Sequence, residues 1–148
     1  MEKVSVPPSI LTASWSARLP AGATAVGISR GVPRHRRGYH RLCQLFPGSW
    51  FNSVDPQTYL DRYGEILACL DPATIRDRLL AFGDMPVMLC YEHADDIQAG
   101  SKWCHRHLAA QWLEDTLGIA VPELGHPWLD RFAHLRALGI EPPRFRKC

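Results

Sequence analysis

Two thiols, a carboxylate, an imidazole and a guanidinium crowd one strand-to-helix connection of this chain. Cys90-Tyr91-Glu92 ends the apolar run that starts at Val87, and Cys104-His105-Arg106 opens the helical pattern that follows. In α/β proteins the carboxyl end of a strand and the amino end of the next helix meet where ligands are held, so these groups are candidates for one shared site. A thiol in the first turn of a helix is drawn toward thiolate by the helix dipole, which makes Cys104 a candidate nucleophile or redox thiol. Glu92 and His105 are the candidate proton carriers, and Cys90 is the second thiol. The bland alternative is that Cys90 is a small buried strand residue and Cys104 an ordinary packing thiol.

Projected at 100° per residue, Arg106 falls in the same arc as Ala109, Ala110, Leu113 and Leu117, the face turned to the core. A guanidinium there needs a partner. Either it pairs with Glu92 or Asp95 and pins strand to helix, or it joins the free N–H groups of the helix start in clamping a phosphate or carboxylate. Two thiols and a histidine are also metal donors. The Cys90-to-Cys104 spacing matches no zinc ribbon or finger, however, and a fourth donor would have to come from His93 or from His40. No metal ligands are therefore assigned, and a cysteine/histidine metal site stays as a further alternative.

A second signal is basic. Arg30, Arg34, Arg36, Arg37 and Arg41 fall within twelve residues, together with His35 and His40 and without an acid, whereas the whole chain carries a formal charge of only +2. Such a segment is a local positive field. Arg30 directly follows a core strand and can reach the crevice of Arg106, so Arg30, Arg34 and Arg106 are the candidate anion-binding residues. Arg36, Arg37 and Arg41 are candidates for gripping a nucleic-acid backbone, with Trp50 and Phe51 beside them either to stack on bases or to anchor the loop. Solvated charge is the competing account of this loop.

These groups need a scaffold. The chain has 148 residues, 46% of them hydrophobic, enough for one domain with a real core. Residues 10–15 and 23–28 read as strands, and residues 29–54 carry no usable period. Asp55-Pro56 and Asp71-Pro72 announce two helices, the first with an apolar face of Tyr59, Tyr63, Ile66, Leu67 and Leu70, the second closed by Gly83 in a left-handed cap. Val87–Tyr91 suits a strand covered on both faces. Ser101 caps a helix from about Lys102 to Leu117 ended by Gly118, Ile119–Val121 is a third core strand, and Pro127–Leu138 is a last helix before an extended tail. The fold expected is a single small α/β domain over residues 1–148, a mostly parallel short sheet flanked by helices, with a right-handed βαβ unit in the C-terminal half.

Five cysteines, Cys43, Cys69, Cys90, Cys104 and Cys148, lack the density and repeated spacing of a secreted disulfide scaffold, so reduced thiols are expected. The start Met1-Glu2-Lys3-Val4 is no leader and no run is long enough to span a bilayer, which points to a cytoplasmic protein without a membrane partner.

The run Ala25–Pro33, then Gly38-Tyr39 and Leu45-Phe46-Pro47, resembles the N-terminal pattern of the bacterial, archaeal and phage family catalogued as domain of unknown function 488. Val87–Glu92 followed by Cys104-His105-Arg106 and Leu108-Ala109 is similar to that family's strand, its Cys-x-Glu element and its Cys-His-Arg helix start. The resemblance covers about residues 8–124 and implies a small intracellular α/β domain with Arg30, Cys90, Glu92, Cys104, His105 and Arg106 at characteristic positions, but no activity. The loop between Glu92 and Cys104 is longer, and the Arg34–Arg41 run denser, than in commoner members.

Two function classes follow. One is an enzyme acting on a phosphate-bearing small molecule, such as a nucleotide or a nucleic-acid terminus, through Cys104, His105, Glu92 and Cys90. The other is a non-catalytic nucleic-acid-binding module that uses the arginine-rich loop. The residue types point to no particular cofactor and leave the oligomeric state open.

Overall fold

The structure is a computed structural model and describes residues 9–146. The start at Met1 and the final Cys148 lie outside the described residues. Four parallel strands, β1 (Leu11–Ser14), β2 (Ala23–Gly27), β3 (Tyr39–Arg41) and β4 (Met85–Cys90), form a sheet in the order β1-β4-β2-β3. The continuous apolar character of β4 is explained by its central place: Val87 and Leu89 pack on one face of the sheet, Met88 on the other.

One face carries the helical layer. Helices α1 (Pro56–Ala68) and α2 (Pro72–Phe82) start where the sequence predicts, with Asp55 and Asp71 accepting from the backbone N–H groups of Thr58 and Thr74 and a proline in each first turn. Tyr63, Leu67 and Leu79 from these helices meet Leu108 and Leu113 of α4 (His105–Leu117) over Val26, Ile28 and Met88. The opposite face has no helix: loop residues Trp15, Leu19, Val32 and Leu124, with Tyr39 of β3, cover Ala13, Ala25, Val87 and Leu89. A small α/β domain with an all-parallel sheet is thus realised.

Several boundaries differ from expectation, each for a local reason. The stretch 29–54 is not wholly irregular: it contains edge strand β3 and a 3-10 turn over Cys43–Leu45. Gly83 ends α2 in extended backbone (φ 165°), not in a left-handed cap. What the site requires is space, since a Cβ there would lie 2.4 Å from the Thr24 hydroxyl oxygen. Gly118 does close α4 in the left-handed region, at φ 68°.

Ser101 does not cap α4. Its backbone N–H and its hydroxyl both donate to the Asp96 carbonyl and finish a short helix, α3 (Ala94–Gln98), so α4 begins at His105 with Cys104 as its N-cap. Val121 is not in a strand, because side chains occupy its backbone: its N–H donates to Glu114 and its carbonyl accepts from Arg131. The second strand of the expected βαβ unit is reduced to a single parallel bridge from Glu123 to Thr12 at the edge of β1. Arg131 also fastens residues before the last helix to Glu114, and α5 spans only Ala133–Ala137. The described part of the tail forms no helix or strand, and Phe145 packs on the core with its N–H donating to Asp115. No helix among the described residues is long and apolar enough to cross a membrane.

Candidate functional site

A hollow of about 370 Å³ opens at the carboxyl ends of β2 and β4, within the size range of small-molecule sites. Its floor holds Cys90, Glu92, Cys104 and His105. Arg30 and Gly31 bound one side, and Phe51, Tyr59, Tyr91 and Trp103 supply aromatic wall. Arg30, Glu92 and the start of α4, distant in sequence, therefore share one cavity.

The turn of chain that presents Arg30 is held from three directions. Trp15 Nε1 donates to Ser29 Oγ, Ser29 Oγ donates to the Gly31 carbonyl, and one Arg41 nitrogen donates to the carbonyls of Ser29 and Arg30. Arg41 also lies over the Phe46 ring, so this exposed residue braces the turn that carries Arg30. Arg30 itself is exposed at the mouth, with one nitrogen donating to the Pro47 carbonyl. On the other side Tyr59 makes edge contacts with Trp103 (4.7 Å) and Trp50 (5.0 Å), and the Tyr63 hydroxyl donates to the Leu45 carbonyl. Trp50 is thereby an anchor for the loop that sets Phe51 in the wall.

The floor is chemically tight. Cys90 Sγ lies 3.4 Å from His105 Nδ1 and 3.5 Å from Glu92 Oε2, and His105 Nε2 is 2.8 Å from the Ile28 carbonyl, which accepts its hydrogen. The two thiols are shifted in opposite directions. Cys90 is held well above an ordinary thiol by its bond to Cys104 and by burial. Burial alone would raise Cys104 too, but the Cys90 bond, the Arg106 charge and His105 outweigh it and hold Cys104 well below the ordinary range. Burial and the neighbouring Cys104 push Glu92 up to about 7. As N-cap, Cys104 makes no side-chain capping bond and its carbonyl accepts from the His107 N–H, so the N–H groups ahead of His107 are the ones suited to an anion.

Arg106 takes neither predicted role in full. It pins strand to helix through the Glu92 backbone carbonyl (2.8 Å), but its carboxylate partner is Glu123, at 3.0 and 2.6 Å, and not Glu92 or Asp95. The side chain is fully buried and does not line the hollow, so it is not an anion clamp. Glu123 also accepts from Thr12 Oγ1 (2.6 Å) and lies 2.9 Å from His107 Nε2. Sequence reasoning missed this carboxylate. The signal was an acid set in the apolar stretch Ile119–Leu124.

Arg34, Arg36 and Arg37 are also absent from the hollow. Because β3 runs parallel to β2, the chain between them must return from the carboxyl to the amino end of the sheet, carrying these side chains away from Arg30. Arg34 and Arg37 are exposed and Arg36 is half-buried. Neither histidine proposed as a fourth metal donor reaches the floor: His93 bonds Ser16, and His40 stacks on Phe82. Compared with known protein families, curated proteins and solved structures, the chain matches none.

Proposed function

We propose that this protein is an enzyme that uses Cys104 as a nucleophile on a phosphate-bearing small molecule of nucleotide size. The observation that carries this reading is the convergence of Cys104, Glu92 and Arg30 on one aromatic-walled cavity. Arg30 and the amino end of α4 favour an anion, and Phe51, Tyr59 and Trp103 favour a flat, apolar group next to it. Attack by Cys104 Sγ on phosphorus forms an S–P bond as the P–O bond to the leaving alcohol breaks, and Glu92 gives its proton to the departing oxygen. Water then cleaves the S–P bond, its proton returning to Glu92, the sulfur leaving as thiolate and phosphate being released. Membership of the domain of unknown function 488 family is part of the same proposal, supported by the fact that five of its six characteristic residues, Arg30, Cys90, Glu92, Cys104 and His105, line the cavity.

Thermal shift with nucleoside monophosphates tests substrate binding. At a hundredfold excess over the dissociation constant a nucleotide is expected to stabilise the fold by about 2.7 kcal/mol. The exposed substitution Arg30→Ala is expected to abolish most of that shift without changing the unliganded transition. If no nucleotide moves the wild-type transition, the nucleotide assignment is wrong.

A further inference from the structure

We infer that the floor of the hollow binds a zinc ion through Cys90 Sγ, Cys104 Sγ and His105 Nδ1, with the fourth tetrahedral position turned to the hollow. The three cysteine and histidine donor atoms lie within 4.8 Å of one another on buried residues. A tetrahedral ion with sulfur at about 2.3 Å and nitrogen at about 2.0 Å sets its donors roughly 3.4–3.8 Å apart. The separation of Cys90 Sγ from His105 Nδ1, 3.4 Å, falls in that interval. The histidine is already turned for the task. Its Nε2 bond to the Ile28 carbonyl fixes the ring and leaves Nδ1 facing the sulfurs, the outer arrangement by which a backbone carbonyl orients a metal-bound imidazole. Two thiolates and an imidazole select zinc over the hard cations magnesium and calcium. The site escapes a search by spacing because its ligands come from a strand end and a helix start, with α3 between them.

Metal binding stands on this geometry alone. Only its consequence for catalysis rests on the reading above: a Cys104 sulfur bound to zinc is not free to attack, so zinc holds the enzyme inactive and its release restores the nucleophile.

The test uses the full-length chain, reduced and stripped with a chelator, titrated with cobalt(II) and then zinc(II). One ion per chain is expected, with thiolate-to-cobalt charge-transfer absorption that zinc displaces. Cys104→Ser is expected to weaken zinc binding more than about 100-fold, beyond the loss seen for outer-shell partners. The combined change Cys43→Ser, Cys69→Ser and Cys148→Ser is expected to leave binding intact. Should Cys104→Ser fail to fold, His105→Ala is expected to lower affinity at least about tenfold while the charge-transfer band from the two thiolates persists. A folded wild-type chain without that band, or a band that depends on Cys43, Cys69 or Cys148, overturns the site. Alkylation of the metal-free chain reads the thiol reaction separately, and protection from alkylation by zinc reads the shared sulfur, so the two ideas fail independently.

Discussion

Glu123→Ala is expected to destabilise the protein by about 3–5 kcal/mol, the cost of leaving one member of a buried ion pair without its partner. The side chains of Arg106 and Glu123 are 0% and 1% exposed, and the guanidinium meets the carboxylate through two nitrogens. Without Glu123, Arg106, His107 and Thr12 all lose an acceptor in the interior. Denaturant unfolding should show a lower midpoint with an unchanged slope. Replacing both partners by methionine, which removes both charges, should cost less than Glu123→Ala alone.

The same cluster sets the acid sensitivity of the fold. Burial would raise the Glu123 pKa, but hydrogen bonds from His107 and Arg106, together with the Arg106 charge, hold it far below its ordinary 4.5. Burial holds His107 below its ordinary 6.5, with the Glu123 bond opposing and the Arg106 charge assisting. Both groups bind protons more readily in the unfolded chain, so stability falls as pH falls, beginning below 6.5 for His107 and below 4.5 for Glu123. Glu123→Ala should remove the component that begins at 4.5 and flatten the acid limb. An unfolding midpoint of the variant equal to that of the wild type would contradict this account.

Cys104→Ser is expected to lower hydrolysis of an aryl phosphate by at least about 1,000-fold in the metal-free enzyme, the scale of loss when a nucleophile is removed from its catalytic unit. p-Nitrophenyl phosphate is a suitable probe because its flat ring matches the aromatic wall and its phosphate can meet Arg30. A serine hydroxyl at the same N-cap keeps the size and polarity of the group but is not ionised near neutrality. Cys90→Ser should retain part of the rate, since Cys90 stands beside the reacting thiol but does not attack. Equal rates for wild type and Cys104→Ser would remove the nucleophile from this residue.

The sequence disclosed the parts of the fold that rest on strong local rules. Asp-Pro pairs marked both helix starts, Gly118 marked a left-handed end, and an unbroken apolar run marked the central strand. It disclosed the residues of the floor because Cys90 and Glu92 at the end of β4 meet Cys104 and His105 at the start of α4, although the short α3 between them was not foreseen. What stayed hidden depends on contacts between distant side chains. Val121 has the composition of a strand, yet Glu114 and Arg131 take its backbone groups. Arg106 was legible as a buried cation, but its pairing with Glu123 depends on the chain after α4 lying beside Thr12. The basic segment could not be placed from composition alone. Its return path along parallel strands separates Arg34, Arg36 and Arg37 from Arg30, and Arg41 is spent on holding the turn.

The central claim is that Cys104 is an activated thiol at the floor of the hollow. Its most direct test is the rate of iodoacetamide alkylation of Cys104 in the reduced, metal-free native protein at about pH 6, read by peptide mass spectrometry against a free peptide thiol. The account predicts that Cys104 is modified faster than the peptide thiol and faster than exposed Cys43 and Cys69. Modification no faster than that of the free peptide would contradict it.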